Sequence, residues 1–369
     1  MRRKRNSSKK KKNKVLLSIS LILLIVLVVS IIFILNPELL KKQEKPEDLS
    51  IQTQDELDSK LEQEPVKQVE IFSGTERPIA FMIDNNVNAQ PQASINSTYM
   101  VYEIIVEGGE SRLMALFKGQ DADEVGPIRS ARHYFLDYAM ENDAIYAHLG
   151  MSPQAESDMK KFDIDSINGQ IYDTGKSRTN SSLYWRVKHK NAPHNAYTNT
   201  SSILKISQDK GYRTTSDKES VLKYVTEEVN LESTDSQIAN VVTIPYATNH
   251  KVQYKYNSET KRYTRYSKNR KMVDETTNED ITTKNIIITF ARNYTLNDGE
   301  NKGRQDVVTV GELDGYYITN GKAIKIKCIK TDRTEQTTYV DLNGNEISVN
   351  DGNTWVNICP LDASVTISE

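Results

Sequence analysis

Four stretches of this sequence set acidic, basic or imidazole side chains beside glycine or proline punctuation. The first runs Tyr102-Glu103-Ile104-Ile105-Val106-Glu107-Gly108-Gly109-Glu110-Ser111-Arg112. Glu103 and Glu107 are an even number of residues apart, so on a strand they share one face. Two carboxylates on one face can do acid/base work, because each raises the other's pKa. The commoner situation is the wet side of a half-exposed strand, and that plainer reading carries more weight here. The second stretch is Gly126-Pro127-Ile128-Arg129-Ser130-Ala131-Arg132-His133. Ile128, Ala131, Phe135, Tyr138 and Ala139 recur at helical spacing, which predicts a helix from Ile128 with Arg129 and Arg132 as neighbours in its first turn. Free backbone N–H groups and the helix dipole favour an anion there, so a phosphate, a carboxylate or an acidic glycan group would suit this end. Equally, the arginine forks could be spent on internal pairs with Glu103, Glu107 or Asp84.

The third stretch, Tyr146-Ala147-His148-Leu149-Gly150-Met151-Ser152-Pro153-Gln154, places His148 near the C-terminal end of a predicted strand. Strand ends that feed helices are where α/β sheets hold ligands, although a lone histidine is more often a satisfied structural residue. The fourth is Ala192-Pro193-His194-Asn195-Ala196-Tyr197-Thr198, inside a polar stretch from Asp173 to Thr200 that reads as irregular. His194 and Asn195 suggest an acid/base group and its orienting partner. No cysteine accompanies them, and no Gly-x-Ser-x-Gly, His-Glu-x-x-His or phosphate-loop pattern occurs. No pair of residues has metal-ligand spacing, so neither a metal nor another cofactor is expected.

The elements that must position these groups are short. Pro78 to Ile83 reads as a buried strand. Met100–Val106 and Arg112–Phe117 flank Gly108-Gly109 and read as a hairpin, the glycines supplying positive φ. Ala144–Leu149 reads as a strand, and Ser152-Pro153 as the N-cap and first turn of a helix to about Lys161. Asp217–Val229 reads as a further helix. After Val241, strand-like runs separated by turns such as Asn320-Gly321 and Asn343-Gly344 dominate.

Charge is distributed unevenly over the 369 residues. Nine of the 48 basic residues fall in the first 14 positions with no acid, leaving 39 against 50 acids, a net −11, in the rest. Residues 15–35 carry no charge and would span about 31 Å as a helix, close to the thickness of a bilayer core. The basic tail would then stay in the cytoplasm and the bulk of the chain lie outside. The span is longer than a secretory h-region and lacks small residues at a cleavage site, so an uncleaved anchor is expected. The expected organisation is a cytoplasmic tail (1–14), a transmembrane helix (15–35), a solvated stalk (36–69), an α/β domain (70–235) and a smaller, mostly antiparallel β domain (236–369). The fold class is α+β. Cys328 and Cys359 are the only cysteines. The outer compartment permits a bond between them, but two small buried side chains in strands are the favoured reading. Neither lies near the span, which excludes a lipid-modified cysteine as the anchor.

Several of these phrases together resemble the YerB-like family of bacterial extracytoplasmic lipoproteins. They are Arg77-Pro78-Ile79-Ala80-Phe81-Met82-Ile83-Asp84-Asn85, the Tyr102–Arg112 run, Gly126 to Arg132, Ser152-Pro153-Gln154-Ala155, and Ala192 to Thr198. Asp341-Leu342-Asn343-Gly344 and Gly352-Asn353-Thr354-Trp355-Val356 are similar too. The resemblance covers about Ile71 to Pro360. It implies an N-terminal α/β domain of uncharacterised function and a smaller C-terminal β domain, with no assigned reaction. The chain departs from the pattern in its anchor, and at Cys328, where the family tends toward Trp.

These readings combine into a membrane-anchored extracytoplasmic protein of the bacterial cell envelope, a binding or accessory protein with a polar cleft. Arg112, Arg129 and Arg132 would hold an anionic group, with Asp84, His148 and Asn195 also binding ligand. The competing readings are a cell-wall glycan hydrolase or lyase, with Glu103, Glu107 or His194 as catalytic candidates, and a protein–protein adaptor. The expected partners are the membrane, through one helix, and peptidoglycan or envelope proteins; nucleic acid is not expected.

Overall fold

Among the described residues, the runs richest in apolar residues become the middle of a sheet. The computed structural model describes residues 67–369. In it β1 (Ile79–Asp84), β2 (Met100–Ile105) and β3 (Ser111–Phe117) are buried from end to end. Strands covered on both faces need no alternation, which is why these segments read as continuous apolar runs. Each fully buried Ile, Met or Phe among them contributes about 1.5–3 kcal/mol relative to exposure. β3 pairs antiparallel with β1 and β2, while β4 (Ile145–His148) and β5 (Ser166–Asn168) extend the sheet beyond β1 in parallel. The β2–β3 connection turns through Glu107–Gly109, where Gly108 and Gly109 both hold φ of 71°. Such angles strain any residue with a Cβ.

The later residues supply β6 (Val241–Ala247), β7 (His250–Asn257), β8 (Arg262–Ser267), β9 (Asn285–Ala291), β10 (Gly311–Thr319), β11 (Lys322–Lys330), β12 (Thr338–Asp341), β13 (Thr354–Pro360) and β14 (Thr366–Ser368). β13 runs parallel to both β2 and β9. One large sheet therefore passes through both halves of the sequence, in the order β12-β11-β10-β9-β13-β2-β3-β1-β4-β5, with Gln237–Ile238 on β11 as its eleventh strand. The smaller sheet holds β8, β7, β6 and β14, with Arg270–Lys271 and Thr282–Thr283 added on β8. Its β6 alternates, with Val242, Ile244 and Tyr246 buried, as a one-sided antiparallel strand should. Three α-helices complete the described residues: α1 (His133–Glu141), α2 (Pro153–Lys161) and α3 (Thr200–Asp209). Ser152 caps α2 through its hydroxyl, which accepts from the Ala155 amide, and Pro153 occupies the first turn.

The expected fold class needs correction. The described residues are mostly strand with three helices of at most ten residues, and none is long and apolar enough to cross a membrane. The proposed span at 15–35 and the tail before it lie outside the described residues, as does most of the stalk. Asp217–Val229 is not a helix; Tyr224–Val225 pairs in parallel with Val349–Asn350. Val221, Leu222 and Tyr224 are all buried in this extended segment, and no helical stripe forms. The helix expected from Ile128 begins only at His133. Ile128 and Ala131 instead bridge Ile83 and Met151, so their three-residue spacing reflects two different neighbours. The Asp173–Thr200 stretch contains a small hairpin, Trp185–Arg186 against Ala196–Tyr197, anchored by the buried Trp185 and Tyr197. Both cysteines are free and buried, and burial pushes each thiol up to about 12.

Candidate functional site

The ends of β1 and β3 meet at one end of the sheet, where Asp84 and Arg112 are cross-strand partners. The glycine turn lies beside them. The extended segment before α1 crosses here too, bound to β1 through the Arg129 amide on Met82 O (2.8 Å) and the Asp84 amide on Pro127 O (2.9 Å). The Ile128 amide donates in turn to Ala196 O, which brings in the loop that carries His194. The result is a cleft of about 400 Å³ bordered by Asp84, Glu107, Arg112, Arg129, Arg132 and His194. Ser152 at the start of α2 reaches its rim, as do Lys302 and Arg304.

Most of the charges in the cleft are matched. Arg132 holds Glu107 through two parallel bonds, Nε–Oε1 at 2.6 Å and Nη2–Oε2 at 2.9 Å. Partial burial would raise the Glu107 carboxyl, but the Arg132 fork outweighs it and holds the group below its ordinary range. Arg304 pairs with Asp298 and Glu300. Asp84 Oδ2 is 3.1 Å from Arg129 Nε, yet that N–H is not aimed at it and has no hydrogen-bond partner. The same oxygen lies 2.7 Å from His194 Nδ1, and Asp84 Oδ1 accepts from the Asn86 amide at 3.0 Å.

Arg112 is the exception. It is only 6% exposed, and its one hydrogen bond among the described residues is to the Ser130 carbonyl. No carboxylate among the described residues pairs with it directly, although the Glu107 and Asp84 charges act on it from farther off. Burial, then the nearby charges of Arg132 and Arg129, push its guanidinium down to about 10. A buried cation held this way is costly, and an anion placed in the cleft would relieve it.

Behind the cleft, Glu103 is fully buried and bound to Arg265 of β8, Oε2 to Nη2 at 2.6 Å, with the Arg265 guanidinium over the Trp355 ring at 4.2 Å. Burial would raise its carboxyl, but Arg265 and the bonds from His250 and Ser111 hold it down to about 2. Ser111 Oγ lies 3.0 Å from His250 Nε2, and His250 Nδ1 lies 3.2 Å from Glu110 Oε2. That order resembles a nucleophile, base and orienting acid, but the details oppose it. The Ser111 proton is donated to Glu103 at 2.6 Å, and Asn85 donates to Ser111 Oγ at 2.8 Å. Burial lowers the His250 pKa, and the two carboxylates outweigh that and raise it.

Two family models match this chain. The model described as "Protein of unknown function (DUF3048) N-terminal domain" covers residues 66–213, and that described as the DUF3048 C-terminal domain covers residues 242–356. The chain belongs to the DUF3048 family. It is 30% identical over 303 residues to "Putative lipoprotein YerB" of Bacillus subtilis (strain 168), an alignment covering 78% of this chain and 83% of the relative. The crystal structure of YerB protein from Bacillus subtilis superposes with a TM-score of 0.68 at 29% identity, covering 79% of this chain and 94% of that one. The resemblance to a two-domain YerB-like family of unknown function therefore holds.

In this DUF3048 chain the cleft gathers Asp84, Glu107, Arg112, Arg129, Arg132 and His194. It leaves out three other candidates. Glu103 is sealed behind the floor, not on a wet strand face, because β2 is flanked by β3 and β13 and covered on both sides. His148 is buried, and its Nδ1 faces Gly150 O at 2.8 Å; burial drives its pKa down to about 4, as for a neutral core histidine. Asn195 turns away, accepting from Arg186 Nη1 at 3.0 Å and donating to Val187 O. Asp84, not Asn195, orients His194. Arg129 and Arg132 do not share a first helical turn, since both precede α1. Sequence reasoning missed His250 and Arg265, which reach Glu103 from 147 and 162 residues away; no local pattern marks such contacts. Glu110 and Ser111 lay within the quoted Tyr102–Arg112 run without being singled out.

Proposed function

We propose that this protein is a membrane-anchored extracytoplasmic binding protein whose cleft takes an anionic group of a cell-envelope polymer. The placement outside the cytoplasm draws on the lipoprotein label of the Bacillus relative. The observation that carries the binding reading is Arg112, a buried guanidinium at the cleft with donors left over and no direct ion pair among the described residues. Arg forks suit phosphate and carboxylate alike. Peptidoglycan and the anionic polymers attached to it present both.

A glycan hydrolase with a glutamic acid as its proton donor is disfavoured. Such an acid needs a raised pKa, whereas Glu103 and Glu107 are both lowered by arginine partners. No single segment of the described residues presents an apolar docking stripe for an adaptor. The exposed large apolar residues Ile171, Ile238, Tyr294, Leu342 and Leu361 belong to five separate segments. The test is co-sedimentation of the full-length chain with purified sacculi, beside Arg112→Met. Loss of sedimentation in the variant supports the reading; equal sedimentation of the two proteins rejects it.

A further inference from the structure

The geometry points to a hydrolytic use of the same cleft, in which Asp84 and His194 direct water onto the carbonyl of an acyl ester carried by the anionic ligand. This rests on the anion-binding reading above. Asp84 is fixed by the Asn86 amide on one oxygen and by the Arg129 charge and His194 Nδ1 on the other. With Nδ1–H donated to Asp84 at 2.7 Å, the imidazole carries its lone pair on Nε2. Nε2 meets no hydrogen-bonding group among the described residues, while the ring borders the cleft and its side chain is 16% exposed. Asp84 is also the backbone cross-strand partner of Arg112, so the base and the guanidinium stand at the same end of the sheet and border the same cleft. A base held in one tautomer by a buried carboxylate, beside a fixed cation, is the arrangement that general-base hydrolysis needs.

The proton inventory selects the reaction class. An in-line displacement at phosphorus places the leaving oxygen opposite the base, where a separate acid or cation must take up its charge. The two cleft glutamates are already engaged, Glu107 by the Arg132 fork and Glu110 by Lys268 and His250, so neither is free to act there. At a carbonyl carbon, water attacks and the alcohol leaves from the same tetrahedral centre, so one imidazole can serve both steps. His194 Nε2 takes a proton from water as the water oxygen bonds to the carbonyl carbon. The carbonyl π pair moves onto oxygen, where Arg112 N–H groups face the developing charge. The C=O bond re-forms, the ester C–O bond breaks, and the imidazolium returns its proton to the leaving alkoxide. One water is consumed, and an acid and an alcohol are released. His194 is the catalytic residue and Asp84 a positioning residue.

The test uses the full-length chain with 1-O-acetylglycerol 3-phosphate as substrate and glycerol 3-phosphate as the binding probe, following acetate release and binding by NMR. The expected result is catalysed release that falls about 100-fold or more in His194→Gln. Added imidazole should restore part of the rate to His194→Ala. Asp84→Asn should lower kcat more than it raises KM, and Arg112→Met should weaken binding. A wild-type chain that binds glycerol 3-phosphate but releases no acetate above the buffer rate overturns the hydrolytic inference and leaves the binding reading standing. A His194→Gln variant as fast as wild type also overturns it. A chain that neither binds nor hydrolyses overturns both.

Discussion

Glu103→Gln should be among the most damaging conservative substitutions in this protein. Glu103 and Arg265 are each fully buried, and they join β2 to β8 across 162 residues of sequence. Holding the Glu103 carboxyl at about 2 instead of 4.5 corresponds to about 3 kcal/mol in favour of the ionised, folded form. Gln keeps the shape but leaves Arg265 buried without a counter-ion, beside a guanidinium Nε that already lacks a partner. Breaking a buried pair in this way costs about 3–5 kcal/mol, so the two figures agree. That is a large part of the roughly 5–15 kcal/mol that stabilises ordinary domains. Arg265→Met should cost about as much, because it strands the carboxylate. The double variant should recover part of the loss, since it removes both charges at once. The assay is urea unfolding followed by circular dichroism, read as a double-mutant cycle. The sign against pH is fixed as well. Because the folded pKa is depressed, the pair's contribution is present above pH 4.5 and is lost as pH falls toward 2. Glu103→Gln should lack that acid limb. Single variants within about 1 kcal/mol of wild type, or strictly additive losses, would refute the reasoning.

His250 should produce the opposite limb. Its folded pKa is raised above 6.5 by Glu103 and Glu110 despite burial, so its contribution is present below pH 6.5 and is lost as pH rises through the folded value. The melting temperature of wild type should therefore decline above about pH 6.5, and His250→Gln should flatten that decline. Gly315→Ala in β10 should destabilise strongly, because an added Cβ would stand 2.2 Å from the Ile288 carbonyl oxygen of β9 and 3.0 Å from Cys328 Sγ. Thermal melts check it, and a variant as stable as wild type would show that the two strands can part at no cost.

Local chemistry was legible where one segment decides its own structure. The β2–β3 hairpin follows from Gly108-Gly109, the start of α2 from Ser152-Pro153, and the strands after Val241 from apolar runs separated by turn residues. Position was not legible where a distant segment decides. Glu103 looks like a solvent-facing residue until Arg265 and β13 cover it. Ile128 and Ala131 carry helical spacing yet face two different chain neighbours. The parallel pairing of β13 with β2, which makes one sheet out of both halves, joins residues about 250 apart, and no periodicity reports it. The cleft itself was half legible. The arginines and acids were visible as types, but which of them cancel, and that Arg112 is left over, depends on side-chain geometry alone.

The most direct measurement of the central claim is the arginine side-chain 15N NMR spectrum of the full-length chain during titration with inorganic phosphate. The Arg112 guanidinium signal, identified by its absence in Arg112→Met, should shift and saturate, while Arg132 and Arg265, already held by carboxylates, should move little. One charge-assisted contact of about 1.5–3 kcal/mol implies that Arg112→Met weakens phosphate binding about 10- to 100-fold. An Arg112 signal that does not respond, or one that shifts in step with every other arginine, would contradict the account.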